Sequence, residues 1–284
     1  MRNIAIIDET FDGELTPAYH LSIRYSDQFC SFAIMDGSRL KFIAYKIIWF
    51  AQSIPAENQA DHIRSILHGE SYLTRKYQSV NLVYLTPVSV LVPSSLFRKE
   101  NPEVYLKFSA PLRSTDRILF RKIPSIDAFS VFPIPADFFN QIVIMLHEVQ
   151  VFHQSCTQIE AAITASGGDT GYTSVIVGVN SGFADILIIK AKQVLLYNSF
   201  TIRDTNDLVF YILYMYEQFG LSQETCPLEI AGFIEMYTGA VELLSQYLKK
   251  IVFQKFPDSY TYSDNFSELT QHHITPIINL TRCE

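Results

Sequence analysis

SVIVGVNSGFADILIIKAKQVLLYNSF, residues 174–200, holds three apolar runs, 174–179, 184–190 and 194–200, parted only by Asn180-Ser181-Gly182-Phe183 and Ala191-Lys192-Gln193. Runs rich in β-branched residues, joined by short turn-forming segments, predict a three-strand meander. Working outward, residues 204–219 carry apolar positions at helical spacing (Leu208, Ile212, Met215, Phe219) and stop at Gly220; a fourth strand is expected at 228–231 and a helix at 238–248. The first half has the same order. Strands are expected at 21–25, 29–35 and 40–47, joined by Ser26-Asp27-Gln28 and Asp36-Gly37-Ser38-Arg39. A helix over 57–68 (Ala60, Ile63, Ile66, Leu67) and a strand over 79–85, ended by Thr86-Pro87, complete that unit.

Strand, strand, strand, helix, strand thus occurs twice, as a match of element order and not of letters. Each unit makes a sheet whose meander is followed by a crossover helix and a returning strand, and both sheet faces need cover. Two α/β lobes facing across a cleft meet that need. Their junction is placed near 155–172, where Ser166-Gly167-Gly168-Asp169-Thr170-Gly171 is small and polar, which divides the chain into 1–155 and 156–284. Residues 88–135 read as an elaboration of the first lobe, with strands at 88–92, 117–123 and 128–132 and a partly helical 96–106. A helix follows over 137–146, then a strand at 148–153 and a helix at 158–165. The turn-rich 257–268 precedes an apolar 274–280 read as a docking terminal helix, with Pro276 in its first turn.

With 284 residues, 48% hydrophobic and 18% charged, and a mean hydropathy of +0.13, the chain can build a full core, which excludes global disorder. Twenty-two Lys and Arg against 29 Asp and Glu give a net charge of −7 with no long basic run, so no nucleic-acid partner is expected. Cys30, Cys156, Cys226 and Cys283 lack metal-knuckle or dithiol spacing and read as reduced core thiols. No signal-like apolar region and no stretch of eighteen apolar residues is present, and the expected location is cytoplasmic.

Ile7-Asp8-Glu9-Thr10-Phe11-Asp12, Leu21-Ser22-Ile23, Ser31-Phe32-Ala33-Ile34 and Asp127-Ala128-Phe129-Ser130-Val131-Phe132 resemble an uncharacterised family of Bacteroides-type bacteria. That family resembles the actin-like ATPase superfamily, and within it the pilus-assembly and secretion proteins that act on the cytoplasmic side of a membrane system. The resemblance implies an α/β fold of two ribonuclease-H-like (actin-like) lobes, each a mixed sheet with helices. It also implies a protein partner, with peripheral association to a membrane complex.

ATP-binding members of the superfamily wrap phosphates in glycine-containing hairpins after the first strand of each lobe, beside an aspartate that organises magnesium. Carried onto this sequence, the candidate cofactor-binding residues are Asp27 in the first hairpin, Asn180, Ser181, Gly182 and Asp185 in the second, and Gly232 after 228–231. The first hairpin has no glycine, Asn180 stands where an acid is preferred, and Phe233 follows Gly232 where a second glycine is usual. The expectation is therefore a scaffold or adaptor with no cofactor and no catalytic residue. The competing expectation is an ATP-binding enzyme or switch, with Asp8 or Asp12 as an added carboxylate.

Other chemistries have less behind them. There is no phosphate-loop Gly-Lys-Ser/Thr, dinucleotide fingerprint or His-Glu-x-x-His. Cys156 three residues after His153 reads as a core cysteine, and His272-His273 as a solvated pair or cap. Asp8, Glu9, Asp12 and Glu14 read as a polar N-terminal arm. Aromatic residues make up 13% and concentrate at Phe210, Tyr211, Tyr214, Tyr216 and Phe219, which suits packing or a protein contact.

Overall fold

The computed structural model describes residues 2–107, 111–167, 169 and 171–282; Gly168, Thr170 and Cys283 of the sequence reading lie outside the described residues. An edge strand, β1 (Ile4–Ile7), which the sequence reading did not expect, precedes the polar arm of Asp8, Glu9, Asp12 and Glu14. The acidic residues that follow have local work: the Asp12 side chain accepts from the Glu14 amide at the start of a 3-10 turn, and Asp8 pairs with Lys41 at 3.0 Å. The first meander forms β2 (Tyr19–Tyr25), β3 (Phe29–Asp36) and β4 (Lys41–Trp49), antiparallel throughout. Every residue of β3 is buried, because both faces of the sheet are covered. Helix α1 (Gln59–Gly69) crosses over, and β5 (Ser79–Tyr84) returns parallel to β2.

The elaboration is a small separate sheet of β6 (Val90–Pro93), β7 (Asp116–Ile123) and β8 (Ala128–Pro135), ordered β6-β8-β7. After α2 (Ala136–Met145), β9 (Gln150–His153) adds to the first sheet parallel to β5. Helix α3 (Gln154–Ala165) starts four residues before the expected 158, since the His153 imidazole accepts from the Ser155 amide and caps it there.

The quoted stretch folds as β10 (Thr173–Val179), β11 (Phe183–Lys190) and β12 (Gln193–Thr201). Helix α4 (Thr205–Gln218) follows, its Asp204 carboxylate accepting from the amides of Asn206 and Asp207. It buries Leu208, Ile212, Met215 and Tyr216; Phe219 lies past its end and is 37% exposed, which corrects the expected apolar face. β13 (Leu228–Gly232) runs parallel to β10, then come α5 (Ala240–Ser245), β14 (Ile251–Phe253), β15 (Thr261–Tyr262) and α6 (Gln271–Ile278). Pro276 is the sixth residue of α6, not in its first turn, and leaves the His272 carbonyl without its helical donor.

Both large sheets read the same way. The first runs β1-β4-β3-β2-β5-β9, with β15 also on β4, and the second β12-β11-β10-β13-β14. Without the edge strands β1 and β15, each is third, second, first, fourth, fifth in its own sequence order. Apolar cores alternate with the sheets: one joins α1 and α2 to the first sheet, another joins α4 and α5 to the second. Between the two sheets, Phe29, Phe152, Ile176, Phe183 and Phe233 pack with Ile274, Ile277 and Ile278 of α6 in a shared core.

Cys30 and Cys156 sit fully inside these layers, and burial pushes the Cys156 thiol up to about 11 and that of Cys30 higher still. Cys156 is thus a core cysteine, as read from the sequence. Iodoacetamide at pH 8 is expected to leave both unlabelled in native protein and to label both in denaturant, as peptide mapping would report. Fast native labelling of either would contradict this packing.

Candidate functional site

The two hairpin turns that would face a phosphate are built differently from one another. In the first, between β2 and β3, the Ser26 hydroxyl accepts from the amides of Gln28 and Phe29, each at 3.0 Å. Those donors are turned inward to the loop and are not presented to an anion. Asp27 is half-buried there, accepting from Ser53 through its carboxylate and from the Ile54 amide through its carbonyl. In the second, between β10 and β11, the Asn180 amide donates to the Phe183 carbonyl at 3.0 Å, and Gly182 turns the chain with φ +81°. Ser181 and Gly182 lie at the tip, outward of the space between the sheets.

That space holds a buried polar seam. Arg24 of β2, 4% exposed, donates to Asn180 Oδ1 at 3.4 Å and lies over the Phe29 ring. Asn180 Nδ2 donates in turn to Asp185 Oδ2 at 3.1 Å. Asp185, the third residue of β11, also accepts from Ser199 and, at 3.3 Å, from Gln154 at the start of α3. The chain of contacts therefore ties the first sheet to the second through one guanidinium, one amide and one carboxylate. Burial pushes the Asp185 carboxyl up to about 6 against these hydrogen bonds. Burial also lowers Arg24 to about 10, with nearby Tyr45 and Asp185 opposing, so the guanidinium stays charged at neutral pH.

Beside the seam is a cavity of about 40 Å³, lined by Gln158, Gln254, Asn279 and Gly232 along with Arg24 and Asn180. It has room for a few water molecules, whereas small-molecule sites run to roughly 300 Å³ and above. Gly232 lines it with φ +84°, and a Cβ there would stand 2.1 Å from the Val179 carbonyl oxygen. Its glycine is thus explained by the close pairing of β13 with β10. Phe233, next in the chain, fills its surroundings edge-on against Phe29 at 5.2 Å and Trp49 at 4.8 Å.

Of the residues singled out from sequence, Asn180, Asp185 and Gly232 converge on this cavity; Asp27, Ser181 and Gly182 do not line it, and neither do Asp8 and Asp12. Sequence reasoning missed Arg24 and Gln154. A cation inside the otherwise uncharged run 21–26, on a strand expected to be covered on both faces, was the available signal. The residues lining this cavity do not fit a magnesium triphosphate: it holds only about 40 Å³, Asn180 stands where the sequence reading sought an acid, and the first hairpin's amides are engaged by Ser26.

A family model described as "Protein of unknown function (DUF3822)" matches residues 8–251. A protein of Bacteroides thetaiotaomicron VPI-5482, with actin-like ATPase fold and unknown function, is similar in structure at 20% identity. The match covers 97% of this chain and 100% of that one, with a TM-score of 0.79. The PilM-PilN type IV pilus biogenesis complex contains a chain of like fold at 8% identity, covering 93% and 98%, TM-score 0.60. The ethanolamine utilization protein EutJ from Carboxydothermus hydrogenoformans follows at 10% identity, covering 98% and 93%, TM-score 0.54. At such identities the likeness establishes the fold, that of the actin-like ATPases. No curated protein matches the chain.

Proposed function

We propose that this chain, which belongs to the DUF3822 family and carries the actin-like fold over nearly its whole length, is a non-catalytic scaffold or adaptor. On this reading, two ribonuclease-H-like lobes, 1–155 and 156–284, are held together across their cleft by protein side chains and not by nucleotide. The observation that carries it is the Arg24–Asn180–Asp185 seam, in which a buried guanidinium, an amide and a carboxylate bond to one another between the two sheets.

A scaffold also needs contact surface. Phe210 and Tyr214 are 60% and 40% exposed on α4 and stack on each other at 5.7 Å, and the connection between β6 and β7 leaves Leu96 and Val104 exposed. The fold shared with a chain of the PilM-PilN complex supports a protein partner at a membrane-associated assembly. Among the described residues no helix is long and apolar enough to cross a membrane, in keeping with peripheral attachment. A cytoplasmic location belongs to the same reading.

Calorimetric titration of the full chain with magnesium-ATP tests it. No saturable heat is expected up to millimolar nucleotide. Micromolar binding at one site per chain would overturn the reading in favour of a nucleotide-dependent switch, with Asp27, Asp185 and the 180–182 loop rearranged around the phosphates.

A further inference from the structure

We propose that Glu235, His272 and His273 form a binding site for a divalent first-row transition metal of the zinc, cobalt or nickel class. Adjacent residues on a helix normally diverge by about 100°. Here both imidazoles instead turn to one carboxylate, His272 Nε2 lying 2.9 Å from Glu235 Oε1 and His273 Nε2 2.7 Å from Oε2. One ligand atom from each of the three lies within 4.8 Å of the others. Two imidazole nitrogens and a carboxylate oxygen are the donor set such metals take, with further positions left for water or a ligand. Metal bonds of roughly 2.0–2.2 Å set tetrahedral ligand atoms about 3.3 Å apart, so the Glu235 carboxylate needs only to draw back slightly from each imidazole to admit the ion.

The rings are held by packing. His272 lies against Phe253 with centroids 4.8 Å apart and His273 against Phe233 at 5.2 Å, which fixes both before any ligand arrives. They are the second and third residues of α6, the end of that helix that meets Glu235. Glu235 sits half-exposed on a 3-10 turn directly after β13, so its carboxylate can rotate and the site opens to solvent. Occupied, the site would clamp α6 to the end of β13, beside the core between the sheets. Without metal, the same three side chains hold each other through Nε2–H donation to the carboxylate, and binding needs each ring's proton on Nδ1.

The test uses the full chain without a histidine tag. Zinc titrated calorimetrically is expected to bind at one equivalent, and cobalt(II) to give the visible d–d absorption of a low-symmetry nitrogen and oxygen site. Glu235→Gln and His273→Gln each keep a side-chain amide for hydrogen bonding and are expected to weaken zinc about tenfold or more. Absence of one-to-one binding, or folded variants with native affinity, would overturn the proposal. Should both variants fail to fold, the cobalt spectrum of the native chain decides: a spectrum identical to aqueous cobalt sinks it.

Discussion

Gly232→Ala is expected to lower the melting temperature by about 10 °C, a large loss for the addition of one methyl group. Two costs combine. The residue has φ +84°, a conformation that costs a non-glycine residue about 1–3 kcal/mol. The added Cβ would also meet the Val179 carbonyl oxygen at 2.1 Å, and that oxygen cannot swing aside, because it accepts from the Phe233 amide at 2.9 Å. Relief requires the ends of β10 and β13 to part, loosening the parallel pair on which the cavity rests. Together these come to about 3 kcal/mol or more. Gly182→Ala is the control: its φ is +81°, but no atom lies within 4 Å of a Cβ, so only the backbone cost remains. Equal melting temperatures for the two variants would refute the steric account.

Gly232 shows how far the sequence could be read. Its place at the end of a fourth strand was legible, because β13 is a short, mainly apolar run, and so were both meanders, both crossover helices and the doubled order. Those elements are written in local periodicity. The strands β1, β14 and β15 were not, since two- to four-residue edge strands are defined by a partner distant in sequence and carry too few residues for a period. In the site, Asn180 and Asp185 were found through their hairpin, whereas Arg24 was not. Its meaning depends on facing Asn180, 156 positions away, across a gap that only tertiary packing creates. Likewise the adjacency of His272 and His273 said nothing of Glu235, which reaches them from another element.

Arg24→Met is expected to destabilise the chain in proportion to how fully Asp185 is ionised, which makes its effect a function of pH. In the native fold Asp185 titrates at about 6 against an ordinary 3.8, so between those values the folded state holds a proton that the unfolded state has released. Stability from this group is therefore complete below about 4 and declines as pH rises through 6. Above that, the buried anion depends on the nearby guanidinium and its amide bridge. Removing the cation should raise the carboxyl further, extending the decline upward in pH. At pH 8 the loss is expected to be about 3–5 kcal/mol, as for other buried pairs deprived of one partner. At pH 5, where Asp185 is largely protonated, Met replaces a desolvated cation with no anion opposite, and the loss should be about 1 kcal/mol or less. Arg24→Met combined with Asp185→Asn removes both charges and should recover most of the stability at pH 8. Urea unfolding of the three variants at both pH values measures this cycle. A loss for Arg24→Met that is the same at pH 5 and pH 8, or a double variant no better than the single one, would mean that the seam joins the sheets by shape and not by charge.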